Sequence, residues 1–500
     1  MRRFPLAAVA PLALAAACAP SRTASPAPSA GGEPEISLVR EADIRRDLFA
    51  LAGDDMRGRE AGTLDELRAS MWLAEQARAA GLEPAGEDGT YFQFFPLRRA
   101  TQSANSRISL AGQPLALWKD VAILGLSHAD LDAAVVWLGD AGSSDAARSD
   151  VAGRVAAILM RSVDAPAPED ALAARRYVSA AANRIARPLI ERGAVAVIVV
   201  ADPPADALFD IAASNAMRGR YGLDDGTGLQ IAAQAPTLVL RQGWLGAASR
   251  PGARLTARLT VDDFVYPSVN VVARVPGTDA RLRDQYVLFS AHQDHDGVRA
   301  PIAGDSIWNG ADDNATVAAG VLAIARAFVQ RPARRSALFV WHGAEEKGLF
   351  GSRWHAAHPR VPKPGIVAVL NADMIGRNHP DTAALLGVVP PHRSSTDLAR
   401  TALEANERHI GFAIDSTWDR PEHREGWFFR SDHLPYAREN IPSIYFSSLL
   451  HADYHTPRDE PARIDTRKLT RIARWMYATG WTVANAEQPP RLDPGFKLER

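Results

Sequence analysis

From residue 261 onward, short apolar runs alternate with longer stretches of helical periodicity. Residues 286–291, 337–341, 366–370 and 443–446 are nearly continuous in apolar side chains, the pattern of strands buried on both faces. Between the first two, residues 314–329 put Val317, Val321, Ile324 and Phe328 on one face of a helix. Leu469, Ile472, Met476 and Val483 mark a closing helix. Near the start of the ordered chain, Thr63 and Glu66 have capping-box spacing. Leu67, Met71 and Ala74 follow at helical intervals, and Gly81 supplies a stop. Residues 91–97 read as a strand. The middle of the chain has another texture, with strands predicted over 153–160, 193–200 and 236–240 and a helix over 181–192. It carries no motif with metal-ligand spacing and reads as an insertion. The expectation is an α/β fold: a mixed, mostly parallel central sheet with helices on both faces and a smaller inserted domain.

The N-terminus changes the picture by adding an export signal. Arg2 and Arg3 precede an apolar, Ala-rich stretch, and Ala15-Ala16-Ala17-Cys18 is similar to a bacterial lipoprotein cleavage box. Cys18 is the only cysteine, so no disulfide is expected to support the fold. Residues 19–35 are rich in Pro, Ser, Ala and Gly and read as a tether. The predicted division is a signal peptide over 1–17, a lipid-anchored tether over 18–35, and a catalytic domain over 36–118 and 261–490. That domain is interrupted by an insert over 119–260, and a tail covers 491–500. The expected location is the bacterial cell envelope, anchored on the periplasmic side of the outer membrane, or the secreted fraction. Membrane contact is expected only through the Cys18 lipid.

With 500 residues, 47% of them hydrophobic, the chain can bury a large core. A formal net charge of -1 argues against a nucleic-acid partner, which needs a basic face. Of the 13 histidines only His128 precedes residue 290, so imidazoles concentrate where the apolar runs alternate.

Carboxylates and imidazoles stand at the ends of those runs. His292 and Asp294 follow the first, Asp313 opens the helix, Glu345 and Glu346 follow the second strand, Asp373 the third, and His455 lies beyond the fourth. Ligands at the carboxyl ends of successive strands converge in space, and imidazole with carboxylate suits zinc. Taken as two clusters that share Asp313, the set has His455 and Glu346 completing one metal and His292 and Asp373 the other. Three carboxylates leave two zinc ions with about one positive charge, enough to hold a bridging hydroxide at neutral pH. Adjacent side chains in an extended segment point different ways, so Glu346 can bind metal while Glu345 faces the water as general base. Asp294 can accept the second ring N–H of His292 and fix its tautomer. Tyr454 is a candidate for hydrogen-bonding the oxyanion, Arg430 for holding a substrate terminus or backbone. His433 reads equally as structural. His295, His342 and His451 are read as supporting or surface histidines.

On these motifs, over roughly residues 36–485, the chain resembles the co-catalytic dizinc aminopeptidases of clan MH, which also contains glutamate carboxypeptidase-like enzymes. The resemblance implies metal ligands at His292, Asp313, Glu346, Asp373 and His455. It implies a general base at Glu345, an orienting residue at Asp294, an oxyanion-stabilising Tyr454 and a substrate-contacting Arg430. It also implies a cis Asp312–Asp313 peptide and a protease-associated domain as the insert. Val317 departs from the family's usual glycine, with a local packing change expected. The implied function is an extracytoplasmic aminopeptidase acting on peptides through two zinc ions. A glutamate carboxypeptidase-like enzyme is the alternative; that enzyme needs a basic pocket, for which Arg377, Arg424 and Arg430 are the candidates. A glutaminyl cyclase or a non-catalytic binding module is more remote, given the full ligand set. Side-chain preference, peptide length and oligomeric state are not encoded in any motif.

Overall fold

The computed structural model describes residues 32–143, 149–167, 171–226 and 235–498. The signal peptide, Cys18 and nearly all of the tether lie outside the described residues. Ten strands form one sheet. Its path runs Ala413–Asp415, Thr382–Leu386, Ser443–Ser447, Ile366–Ala372, Tyr286–His292, Ser336–His342, Val261–Val275, Phe92–Gln102, Arg220–Leu223, with the short Glu83–Pro84 strand beside Val261–Val275. The four central strands, from Ser443–Ser447 to Ser336–His342, are mutually parallel. The outer pairs next to them are antiparallel.

Period-two alternation sorts each central strand between two layers. Val287, Phe289 and Ala291 pack with the Thr316–Gln330 and Thr466–Asn485 helices. Tyr286 and Leu288 pack on the other face, with Ala356 and Tyr436. Phe328 sits among Phe289, Phe339, Tyr477 and Trp481. Burial of this kind is worth about 1.5–3 kcal/mol per large side chain, so the central strands are a rigid base. The second face turns polar toward the carboxyl ends of the strands. Ser290 Oγ donates to Asn371 Oδ1 at 2.8 Å, and Asn371 Nδ2 donates to Ser431 Oγ at 2.8 Å. His292 is next on the same face.

The Leu64–Ala80 helix starts and stops where the sequence predicts but is rotated. Thr63 Oγ1 accepts from Asp65 and Glu66 N–H, and Gly81 adopts φ 87. Of the expected face Ala74 is buried but Met71 is 57% exposed, and Ala69, Leu73 and Ala77 complete the buried side. The reason is Glu66, which does not close a reciprocal box with Thr63. It turns inward to accept from Gly62 N–H at 2.6 Å and Ser268 Oγ at 2.7 Å, carrying its side of the helix to the sheet.

Residues 107–259 build a second, eight-stranded sheet, ordered Gln113–Pro114, Arg107–Leu110, Arg254–Leu259, Ala129–Asp140, Val155–Leu159, Ala196–Val200, Thr237–Leu240, Val121–Leu124. The Ala171–Glu191 and Phe209–Met217 helices cover one face. The chain passes between the sheets along the Phe92–Gln102 and Val261–Val275 pair, in register from Val271↔Phe92 to Val261↔Gln102. Arg220–Leu223, within the same segment, pairs with Phe92–Gln102 and so belongs to the first sheet. That return places Arg218 and Tyr221 against the first sheet's loops.

Candidate metal centre

The four parallel strands deliver their next residues to one spot. His292 ends its strand, Glu345 and Glu346 lie three and four residues past Ser336–His342, and Asp373 follows Ile366–Ala372. His455 comes in on the loop after Ser443–Ser447, and Asp313 from the turn before Thr316–Gln330.

Asp313 lies between two histidines. Its Oδ1 is 3.2 Å from His292 Nε2, and its Oδ2 is 3.0 Å from His455 Nε2. On one side His292 Nε2 also lies 3.5 Å from Asp373 Oδ1 and 3.9 Å from Glu345 Oε2. On the other, His455 Nε2 is 3.1 Å from Glu346 Oε1. All five expected ligand residues, and Glu345, are therefore together. Their candidate donor atoms fall into two groups, His292–Glu345–Asp373 and His295–Asp313–Glu346–His455.

His295 is the member that the sequence reading set aside. It is fully buried, with Nδ1 2.8 Å from Glu346 Oε1 and 3.9 Å from Asp313 Oδ2. Its ring stands at 87° to that of His455, with centroids 5.3 Å apart. The signal was its position three residues past His292. In the sequence the other five ligands already make a complete set, which leaves His295 without a coordination role. His342 is buried beneath the site, 3.3 Å from Tyr436 Oη, and burial drives it well below an ordinary imidazole. His451 is 3.4 Å from Asp312 Oδ2.

Asp294 differs from the expectation. Its backbone carbonyl, not its carboxylate, meets His292 Nδ1, at 3.0 Å. The carboxylate stands 3.9 Å from that nitrogen. It instead accepts from the N–H groups of Glu345 at 3.0 Å and Glu346 at 3.3 Å. Asp294 thus fixes the histidine through its main chain and the glutamate turn through its side chain. Asp459 does the same for Asp313, accepting from Asp312 and Asp313 N–H at 3.0 and 3.1 Å. Buried Arg59 donates to the carbonyls of Leu51, Gln293, Asn309 and Gly310, tying the two loops together. Asp296 Oδ2 lies 3.4 Å from His455 Nδ1. The cis non-proline peptide is Asp313–Asn314, one bond later than the resemblance implies.

Tyr454 and Arg430 meet each other. The Tyr454 ring lies 3.8 Å from that of His455, and Arg430 Nη2 donates to Tyr454 Oη at 3.2 Å. Arg430 also donates to Glu425 at 3.2 Å and lies over Trp427, so it is held against the phenol. His433 is buried between Phe428 and Tyr445 and pushed down to about 3 by burial, a neutral packing residue.

Among the described residues, His292 Nε2, both ring nitrogens of His295, Glu346 Oε1 and Asp373 Oδ1 are buried without a well-oriented hydrogen bond. An orphaned buried polar atom costs about 1–3 kcal/mol. A group of such atoms, all of metal-ligand type and within 4.8 Å of one another in each set, fits a pair of divalent cations. The electrostatics agree. Burial and the neighbouring Asp373, Glu346 and Asp432 carboxylates drive Glu345 well up, despite His292. Burial opposes ionisation of Glu346, yet His455 brings it down to about 2.

His455 gives a pH prediction. Burial works against its charge, but Glu346, Asp296 and Asp313 outweigh it and raise it to about 9. Without metal the imidazole therefore keeps its proton from about 6.5 up to that value, and a cation must displace it. Zinc affinity is expected to rise by up to about tenfold per pH unit for each proton released, with the His455 contribution levelling off above about pH 9; His292, which against burial is held well above an ordinary imidazole by Glu345, Asp373 and Asp313, adds to the rise. Calorimetric zinc titrations in buffers of different ionisation enthalpy measure the release at pH 7. No proton release and a flat affinity profile would contradict it.

Residues 270–480 match Peptidase family M28. Leucine aminopeptidase 1 of Penicillium rubens is 31% identical over an alignment of 127 residues that covers 23% of this chain and 31% of that relative. The solved aminopeptidase from Aneurinibacillus sp. strain AM-1 aligns with a TM-score of 0.55 at 17% identity, covering 93% of this chain and 98% of its own. The structure of BSAP, a zinc aminopeptidase from Bacillus subtilis, gives 0.56 at 17% identity, with 90% and 96% covered. At such identity the likeness to the two solved structures is one of fold.

Proposed function

We propose, from the match of residues 270–480 to peptidase family M28, that the protein is an extracytoplasmic zinc aminopeptidase that removes N-terminal residues from peptides. The observation that carries the reading is Asp313, whose two carboxylate oxygens face two different histidines. Two zinc ions fit the donor set: His292 and Asp373 would hold one, Glu346 and His455 the other, with Asp313 shared. When bound, zinc supplies Lewis acidity toward water and toward the scissile carbonyl.

The remaining work falls to side chains. Glu345, 9% exposed, takes the proton of the attacking water and passes it to the leaving nitrogen. Its N–H, with that of Glu346, is pinned by Asp294, which keeps the carboxylate aimed. Tyr454 offers its hydroxyl to the developing oxyanion, and Arg430, as donor to the phenol oxygen, leaves the phenol proton free to point there.

The carboxypeptidase alternative gains nothing from its three candidate arginines. Arg377 is paired with Asp453 at 2.6 Å, Arg424 is 91% exposed, and Arg430 is held by Glu425 and Tyr454. The test is one panel of peptides with free and blocked N-termini, assayed with and without chelator. Chelator-sensitive cleavage that requires a free N-terminus is expected. Cleavage that tolerates the block but needs a free C-terminus would move the assignment to carboxypeptidase. The lipid anchor is a separate proposal from the Ala15–Cys18 box. Cys18→Ala is expected to release the protein from the membrane fraction, and continued membrane association would sink that idea.

A further inference from the structure

A cavity of about 400 Å³ opens beside the metal cluster, between the end of the Phe209–Met217 helix and the turn after Ser336–His342. Asn215, Arg218, Arg220 and Tyr221 form one wall, and Glu346 and Lys347 the opposite one. Glu346 is thus shared between the cavity and the cluster.

The polar lining is predominantly cationic. Arg218 and Lys347 line it, with Arg299 behind. The carboxylates against them are Glu60 and Asp296. Arg218 Nη2 is 2.9 Å from Asp296 Oδ1, and Arg299 pairs with the same oxygen. Glu60 Oε1 is 3.4 Å from Lys347 Nζ and 3.9 Å from Arg218 Nη2. Glu346 on the opposite wall is a third acid, but its charge is the one the proposed zinc ions would take up; apart from it, among the described residues these three cations exceed Glu60 and Asp296 by one charge, and Arg220 also lines the cavity. The Lys347 side chain is 1% exposed and lies with Nζ 5.4 Å from the Tyr221 ring centroid. Among the described residues Nζ has no well-oriented hydrogen-bond acceptor, its contact with Glu60 being an ion pair at 3.4 Å. A buried ammonium carries three donors, and leaving them unmade is costly. An anion in the cavity would satisfy them and offset the surplus charge.

We infer that this cavity binds a carboxylate of the peptide whose scissile bond lies at the cluster, with Lys347 and Arg218 as the recognising cations. The inference rests on the aminopeptidase reading and adds a specificity to it. The carboxylate has two possible sources, the C-terminus of a very short peptide or an acidic side chain beside the scissile bond. Both fit a site at the small end of the usual range for ligand pockets.

Two substrate pairs, assayed with the zinc-loaded full chain, decide the matter. Leucyl-glycine against leucyl-glycinamide tests the terminal carboxylate. Leucyl-aspartyl amide against leucyl-asparaginyl amide tests the side chain. The acid member of one pair is expected to have a kcat/KM about tenfold or more above its neutral partner, carried in KM. The pair that shows it identifies the source. Lys347→Gln is expected to collapse that ratio, and Lys347→Arg to restore most of it. Taking a ratio within each variant removes any general loss of activity. Lys347→Met, which keeps the stem's packing, replaces Lys347→Gln should the latter not fold. Equal rates for both pairs in the natural protein, or a preference that survives loss of the Lys347 charge, would overturn the inference. Hydrolysis of none of the four substrates, nor of any free-N-terminus peptide of the panel, by protein holding two zinc ions is a different result. It refutes the aminopeptidase reading, and the inference with it.

Discussion

Glu345→Gln is expected to lower kcat by about 10²–10⁴-fold while zinc content stays unchanged. The substitution keeps the side chain's shape and removes only its capacity to take a proton. Asp294 grips Glu345 and Glu346 through their N–H groups, so the turn needs no carboxylate at 345 to hold its form. Zinc content is the informative half of the experiment, because Glu345 Oε2 is 3.9 Å from His292 Nε2 and stands among the possible donors of the first group. A base leaves metal binding intact when neutralised, whereas a ligand does not. Loss of one zinc from Glu345→Gln, measured by elemental analysis alongside kcat, would transfer Glu345 from base to ligand. The raised proton affinity of Glu345 belongs to the metal-free site, where burial and nearby carboxylates dominate. The two cations proposed for the site would reverse that balance and keep the carboxylate ionised and ready to accept.

What the sequence made legible follows from which forces act locally. Strand ends were readable because a strand buried on both faces is a continuous apolar run, and the first polar residue after it marks the point where the chain leaves the core. His292, Glu345 and Asp373 lie at or just past such points, on strands that pair in parallel. His295 lies one loop further and has no periodicity to place it. Asp459 and Arg59 act on backbone atoms of distant segments, and neither type nor spacing announces that. Asp294 was found, but its two hydrogen-bonding groups carry exchanged roles, since a sequence names a residue without distinguishing carboxylate from carbonyl. The rotation of Leu64–Ala80 has the same origin: a buried Glu66 with two partners looks like a surface residue until Ser268, far along the chain, is seen beside it. Arg218 was beyond reach for the opposite reason. It comes from a segment without motifs and arrives at the site because Arg220–Leu223 joins the first sheet.

Asp313→Ala is expected to abolish hydrolysis and to reduce bound zinc from two ions per chain to one or none. The argument is geometric. Each oxygen of this carboxylate serves a different group, Oδ1 toward His292 and Oδ2 toward His455, so a single truncation removes a donor from both. It also removes the charge that draws the two groups together: burial opposes ionisation of Asp313, yet His292, His455 and His295 hold it well below the ordinary carboxylate range. The backbone should keep its course, since Asp459 holds the N–H groups of residues 312 and 313, and these do not depend on the side chain. The variant is therefore expected to fold, with circular dichroism like that of the natural protein, while chelator no longer changes its activity. Asp373→Ala is the control. Asp373 touches His292 alone among the clustered histidines, so its loss should empty one position and leave the Glu346–His455 side able to bind. If Asp313→Ala still bound two zinc ions, the proposed sharing of this carboxylate between two metals would be wrong.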